Sequence, residues 1–354
     1  MNKILTLCEN RGFLQKTYNA ALKQDIITIF PTGALLQANL RNEWFNSSII
    51  NKDHTVFLNK NDFDETVEYA RNLCNVLPFG VADVLRNKKS MKERVDLVKE
   101  SGNKFDFRMY TLENDYNLKT NFYVSPKTST HFFHQFQKQR KMWWRKFSAN
   151  PGRYCYSDIK NGDKGTQRID IIAEYEWGKQ ILETLTLNND GRKKKNLEFK
   201  EGKTTFYPDI ISSDISTTAM FLNALCDSYE EPVSQGKPRP LLHFHRKLAP
   251  YKLSFAITSQ KASTLSELCD LALFLCRQLR DNHVSTLMLP SCSKLKLEEQ
   301  WQQYDQMGIP YNIILNDNTL KDGVTLLRSR DTTLKEQVHV SDIVDYVEKL
   351  FKNY

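Results

Sequence analysis

The stretch YKLSFAITSQKASTLSELCDLALFLCRQLRDNHVSTLMLPSCSKLKLEEQWQQYDQMGIPYNIIL, Tyr251 to Leu315, decides how the C-terminal part of this chain folds. It opens on an apolar run, 251–257, short enough for a buried strand. From Ser263, whose hydroxyl can cap a helix, Leu265, Leu268, Cys269, Leu271, Ala272, Leu275, Cys276 and Leu279 recur on one broad helical face. A strand at 284–289, a helix at 297–306 ending near Gly308 and a strand at 311–315 complete a β-α-β-α-β order. Asp322-Gly323 marks a tight turn before a strand at 324–327, and a closing amphipathic helix carries Ile343, Val344, Val347, Leu350 and Phe351. The pattern predicts an α/β domain over 251–354 with a mixed, largely parallel sheet.

Working outward, Pro232, Pro238, Pro240 and Pro250 crowd a polar stretch, 229–250, that reads as a linker. Residues 1–228 are left as a first domain. Helical patterns at 4–13, 34–45, 64–74 and 129–147 alternate there with strand patterns at 108–112, 167–175 and 203–207, a mixed α+β composition. A chain of 354 residues, at roughly 150 per domain, holds two or three such units.

Composition narrows the function. The chain is 40% hydrophobic and 26% charged, too apolar and aromatic to stay unfolded. No segment offers the roughly 20 apolar residues that span a bilayer, so no membrane role is expected. Seven cysteines without a C-x-x-C pair give neither a disulfide framework nor a zinc ribbon, and fit buried thiols in a reducing compartment. The net charge of +8 is uneven: residues 241–354 hold 14 basic and 13 acidic groups, which leaves +7 on residues 1–240. That excess is compatible with a polyanionic partner and equally with a solvated surface. The first residues are basic but poor in Arg and Ser, and do not read as a clear transit peptide.

Catalytic motifs are missing where an enzyme of this size would show them. Glu201-Gly202-Lys203-Thr204 imitates the end of a phosphate loop, but the position of the first glycine is Leu197. His131 and His134 share a helix face without a third ligand, and His243 and His245 lie in the proline-rich stretch, so no metal site is expected. There is no G-x-S-x-G elbow. Two basic segments stand out. QKQRKMWWRK supplies Lys138, Arg140, Lys141, Arg145 and Lys146 with no acid. At helical spacing Lys138, Lys141 and Arg145 form one stripe and Phe136, Trp143 and Phe147 another, so one side can pack while the other meets an anion. GRKKKN, with Lys193, Lys194 and Lys195, fits either a solvated turn or a loop contacting phosphates without reading bases.

CENRGF (8–13), PTGALLQANLRNEW (31–44), LPFGVADV (77–84) and LRSRDTTLKEQ (327–337) resemble the class II glycyl-tRNA synthetase scaffold with its C-terminal anticodon-binding domain. WWRKF (143–147), WGKQILETL (177–185), LAPYK (248–252) and LRSRDTT resemble more specifically the accessory subunits of mitochondrial DNA polymerase gamma, a synthetase-derived family of processivity factors. The resemblance implies an N-terminal class II core, an antiparallel sheet with helices, followed by the anticodon-binding-like domain. It further implies a mitochondrial location in the matrix nucleoid, no cofactor, and a role in gripping primer-template DNA beside the catalytic subunit. By the same resemblance the C-terminal domain docks on that subunit, with Leu327, Arg328, Arg330, Asp331 and Thr332 the first place to look. Lys193, Lys194, Lys195, Lys138, Lys141 and Arg145 are the candidates for sequence-independent DNA contact.

The chain departs from the synthetase pattern at the chemistry. Aligned without gaps from Leu77, the arginine that holds the ATP α-phosphate is replaced by Lys89 and its companion glutamate by Met91. Residues 212–221, SSDISTTAMF, lack the glycines and the second arginine and add Asp214. Each lost donor of this kind removes about 3 to 4 kcal/mol of charge stabilisation, so catalysis is not expected. Only 32 residues separate Trp44 from Leu77, too few for the helical insertion that builds the homodimer of vertebrate accessory subunits. A 1:1 complex with one catalytic chain is the expectation. An active glycyl-type synthetase, or a tRNA- or RNA-binding module, is the alternative.

Overall fold

The computed structural model describes residues 1–19, 24–87, 105–112, 115–162, 165–189, 197–201, 204–234, 236–289 and 294–352. It divides into two compact units, one made of Met1–Leu5 and Gly12–Cys226, the other of Thr6–Arg11 and Asp227–Tyr354.

The chain begins with α1 (Asn2–Asn10), followed in the first unit by β1 (Leu14–Asn19), β2 (Gln24–Ile29), α2 (Pro31–Phe45), β3 (Val56–Leu58), α3 (Phe63–Cys74) and β4 (Phe79–Arg86). Next come β5 (Thr111–Leu112), β6 (Tyr116–Val124), α4 (Ser129–Lys146), β7 (Tyr154–Tyr156), β8 (Lys160–Asn161), β9 (Gln167–Tyr175) and β10 (Gly178–Asn188). β11 (Phe199–Glu201), β12 (Thr204–Phe206), β13 (Asp209–Ser216) and α5 (Thr217–Ser228) complete the series. An eight-stranded sheet runs β3-β4-β6-β13-β10-β9-β7, with β8 on β9, and every pair except β3/β4 is antiparallel. β1, β2 and β5 form a small separate sheet.

Helix α2 starts at Pro31, three residues before the apolar pattern, because a fixed φ and a missing N–H suit the first helical turn. Gly33 then passes so close to the chain that a Cβ there would lie 1.9 Å from the Phe13 carbonyl oxygen. α3 opens on Asp62, whose carboxylate accepts the Glu65 N–H at 3.0 Å, and closes on Asn75 in the left-handed region. α4 lays Phe133, Phe136, Trp143 and Trp144 on the sheet, where Phe136 meets Phe122 of β6 at 5.3 Å between ring centroids.

In the second unit β14 (Tyr229–Glu230), β15 (Val233–Ser234), β16 (Lys237–Pro238) and β17 (Leu241–Leu242) pair as nested antiparallel ladders. The stretch expected to be a linker is thus folded, and it buries Leu241, Leu242, Phe244, Leu248 and Ala249. Pro238 sits in a two-residue strand and Pro232, Pro240 and Pro250 lie outside the strands, where a missing N–H is tolerated. β18 (Leu253–Ile257), α6 (Ala262–Asp281), β19 (Thr286–Leu287), α7 (Leu297–Gln306), β20 (Tyr311–Leu315), α8 (Thr319–Asp322), β21 (Val324–Ser329), β22 (Lys335–His339) and α9 (Ile343–Lys352) follow. The sheet order is β19-β18-β20-β21-β22, parallel through β20 and antiparallel beyond it. The expected bias toward parallel pairing is therefore only half present. β22 has a single buried residue, Val338, so alternation could not announce it. α6 and α9 cover one face of this sheet and α7 the other.

The described cysteines are free thiols, with Cys8, Cys226 and Cys276 buried. Among the described residues no helix is long and apolar enough to cross a membrane.

Candidate functional site

A polar cleft of about 480 Å³ opens on the face of the large sheet that α4 leaves uncovered. Alternation along β13 sends Ile210, Ser212, Asp214 and Ser216 into the cleft, while Ile211, Ser213 and Ile215 are buried on the other side. Register places Asp83, Lys119, Asp214, Thr184 and Asp170 in one row across β4, β6, β13, β10 and β9.

The two arginines of the cleft are already engaged. Arg108 grips Asp106 through its Nε and Nη2 atoms at 2.6 to 3.1 Å. Arg168 reaches Asp170 at 3.1 Å, and Asp170 also accepts the Thr184 hydroxyl at 2.7 Å. The N-terminus of α5 points at the cleft, where a helix of this kind could receive a phosphate. Asp115 occupies it: its carboxylate accepts the Thr218 N–H at 3.2 Å, the Thr217 hydroxyl at 3.1 Å and the Asn87 amide at 2.7 Å. An anion entering this cleft would have to displace carboxylates bonded to every one of these donors. Asp214 lies on the floor as the sequence suggests. Lys89 and Met91 fall outside the described residues. The alternating polar residues of β13 were the signal that could have revealed the floor.

The opposite face holds a buried ionic network. Arg140 donates to Glu183 through Nε at 2.7 Å and Nη2 at 3.2 Å, and to Ser48 at 3.3 Å. Glu183 also accepts from Trp144 Nε1 at 2.7 Å and Ser213 Oγ at 2.6 Å. Arg140, one of the five cations of the QKQRKMWWRK segment, is therefore a core residue.

The other cations of α4 stay outside. Lys138 and Arg145 are exposed, and Lys141 is half-buried with its ammonium 4.1 Å from the Tyr156 ring. The three share one side of the helix with the exposed His131 and His134, and the aromatic stripe packs inward, so the two-stripe reading of this helix is its observed geometry. Lys193, Lys194 and Lys195 lie outside the described residues. No cluster of metal-ligating side chains occurs among the described residues.

In the second unit the LRSRD stretch turns inward. Leu327 and Arg328 are buried on β21, and Arg328 forms a two-pronged bridge to Asp305 at 3.0 and 3.1 Å. Arg239 bonds the same carboxylate. Arg330, 2% exposed, donates to the carbonyls of Leu242, Gly308 and Phe244 at 2.9 to 3.1 Å and pairs with Asp331. These residues fasten β21 to the segment before β18 and to the end of α7, so Leu327, Arg328 and Arg330 are unavailable as surface contacts. Asp331 and Thr332 remain on the outer turn, next to Leu334 at 68% exposure. His243 lies between two carboxylates, Nδ1 3.0 Å from Glu230 and Nε2 3.3 Å from Asp331. The bond to Asp331 raises the imidazole pKa against the opposing pull of burial and of Arg330. Burial of Asp331 works against its ionisation, yet His243 and Arg330 hold it well below the usual carboxylate range.

A synthetase-like sheet cleft followed by an α/β unit defines a class of protein, and comparison agrees: residues 256–350 match the family described as "Anticodon binding domain". Glycine--tRNA ligase of Chlorobaculum tepidum is 24% identical over 282 residues, covering 77% of this chain and 56% of that protein. The DNA polymerase subunit gamma-2, mitochondrial, of Drosophila melanogaster is 31% identical over 258 residues, 67% of each chain. That of Xenopus laevis is 28% identical over 240 residues, 64% of this chain and 50% of its relative. The chain belongs to the DNA polymerase subunit gamma-2 family, and the match to the Xenopus member spans half of that relative's length.

Proposed function

We propose that this chain is a non-catalytic accessory subunit of a mitochondrial replicative DNA polymerase, which binds the catalytic subunit and strengthens its hold on primer-template DNA. Its kinship with proteins named as polymerase gamma subunits supports the partner and the mitochondrial location. The observation that carries the non-catalytic part is the state of the sheet cleft. Arg108, Arg168 and the α5 N-terminus are each satisfied by a carboxylate of the same unit, so none of these three is a prepared grip for a triphosphate. This is a degenerate class II core in residues 1–228, with residues 251–354 as the anticodon-binding-like domain. Glycine-dependent exchange of pyrophosphate into ATP tests that claim directly: none is expected, and exchange above background would establish the synthetase alternative.

A protein that touches polymerase and DNA together slows dissociation without entering the chemistry. The DNA contact is assigned to Lys138, Lys141 and Arg145 of α4, with Lys193, Lys194 and Lys195 as a second contact. The polymerase contact is assigned to the outer turn of the second unit, Asp331 and Thr332. A 1:1 complex is the proposed stoichiometry. Between Trp44 and Leu77 the chain forms only a π-helical turn at Asn46–Ile50, β3 and α3, which is no dimer-building bundle. Sedimentation of the complex should give one copy of this chain per catalytic subunit; two copies would overturn that assignment.

A further inference from the structure

The outer side of α4 carries more than its three cations. His131 and His134, both exposed, precede Lys138, Lys141 and Arg145 at steps of three, four, three and four residues, so the five side chains form one line along the helix. At about 1.5 Å per residue the line runs about 21 Å, twice the roughly 10 Å between Lys138 and Arg145. The helix contains no acidic residue. Among the described residues the side chains of His131, His134, Lys138 and Arg145 have no hydrogen bond or ion pair, whereas Arg108 and Arg168 of the cleft are each held by a carboxylate.

The titratable groups on the elements packed against α4 are engaged elsewhere or sit to one side. Asp209 of β13 lies beside Ser129, and Lys52, Asp53 and His54 line a small cavity with Phe132 and Gln135. Glu183 of β10 is bonded to Arg140, Tyr156 of β7 meets Lys141, and Arg153 stacks on Tyr175. None of them is bonded to His131 or His134.

We propose that His131 and His134 are DNA-contact residues that lengthen the α4 track when their imidazoles are protonated, a role that rests on the assignment of DNA to α4. A protonated imidazole donates an N–H to a phosphate oxygen in a charge-assisted bond. Duplex DNA presents a phosphate about every 3.4 Å along each strand, so the full line spans about six phosphates of one strand instead of about three. Histidine is the side chain whose charge ordinarily changes between pH 5 and 8. The track is therefore long in mild acid and short in mild base, and it reads no bases at either pH.

The test is the affinity of the full chain for duplex DNA of mixed sequence, measured over a salt series at pH 6 and pH 8. The slope of log affinity against log salt should be steeper at pH 6 by up to about 1.8, at about 0.9 per added phosphate contact. His131→Gln with His134→Gln should remove that difference, and His131→Lys with His134→Lys should give the steep slope at both pH values. Equal slopes in the unmodified chain, or a full difference kept by the glutamine pair, overturns the proposal alone if replacing Lys138, Lys141 and Arg145 with Ala still weakens binding. If that triple replacement leaves binding unchanged, the assignment of DNA to α4 fails and the proposal falls with it.

Discussion

Arg140 and Arg330 show how a cation is spent inside a protein of net positive charge. Each is 2% exposed and each is bonded at all three guanidinium nitrogens, Arg140 by Glu183 and Ser48, Arg330 by three carbonyls and Asp331. Removing one partner of such a pair strands the other without water. Glu183→Ala should therefore lower the unfolding free energy by about 3 to 5 kcal/mol, read from urea denaturation. His243 gives a pH signature. Its folded pKa is raised, so the stability it contributes is complete below the ordinary imidazole value and fades as the pH rises through the folded value. His243→Gln should melt below the unmodified chain at pH 6, and the gap should shrink by pH 9. A gap that widens with pH would show that the imidazole is not held by Glu230 and Asp331.

At the scale of elements, α4 carries both the argument for DNA and its clearest test. Lys138, Lys141 and Arg145 lie along one side of an 18-residue helix whose other side is packed on the sheet. Replacing all three with Ala should weaken binding to duplex DNA and reduce the slope of log affinity against log salt by up to about 2.7, at about 0.9 per lost phosphate contact. An unchanged slope would remove α4 from the interface. Gly33 is the tightest joint of α2. The Cβ added by Gly33→Ala meets the Phe13 carbonyl at 1.9 Å, and thermal melting should show a loss of about 1 to 3 kcal/mol or more.

The same elements show what was legible in the sequence. α7 and β20 fall where their patterns put them, because α7 buries one side against the sheet and β20, central in that sheet, is apolar on both faces. β13 was invisible as a strand: DIISSDIS lines a cleft with polar residues on one face and carries Ser213 on the other. The burial of Arg140 was not legible in its basic segment, because its ion-pair partner lies 43 positions away. The LRSRD arginines were placed in the correct unit but on the wrong side of it, since identity of residues does not reveal which face they take.

For the whole molecule, the two units carry different halves of the account: a cleft whose arginines and helix end are internally satisfied and a cationic helix in one, an exposed turn over a buried arginine clasp in the other. In the proposed function neither half enters the chemistry, and each serves a contact with a partner. The length of DNA synthesised per binding event by the catalytic subunit, with and without this chain, tests that most directly. The account predicts longer products when the chain is present, with the single-nucleotide insertion rate little changed. Equal product lengths from a complex shown to contain both chains would contradict it.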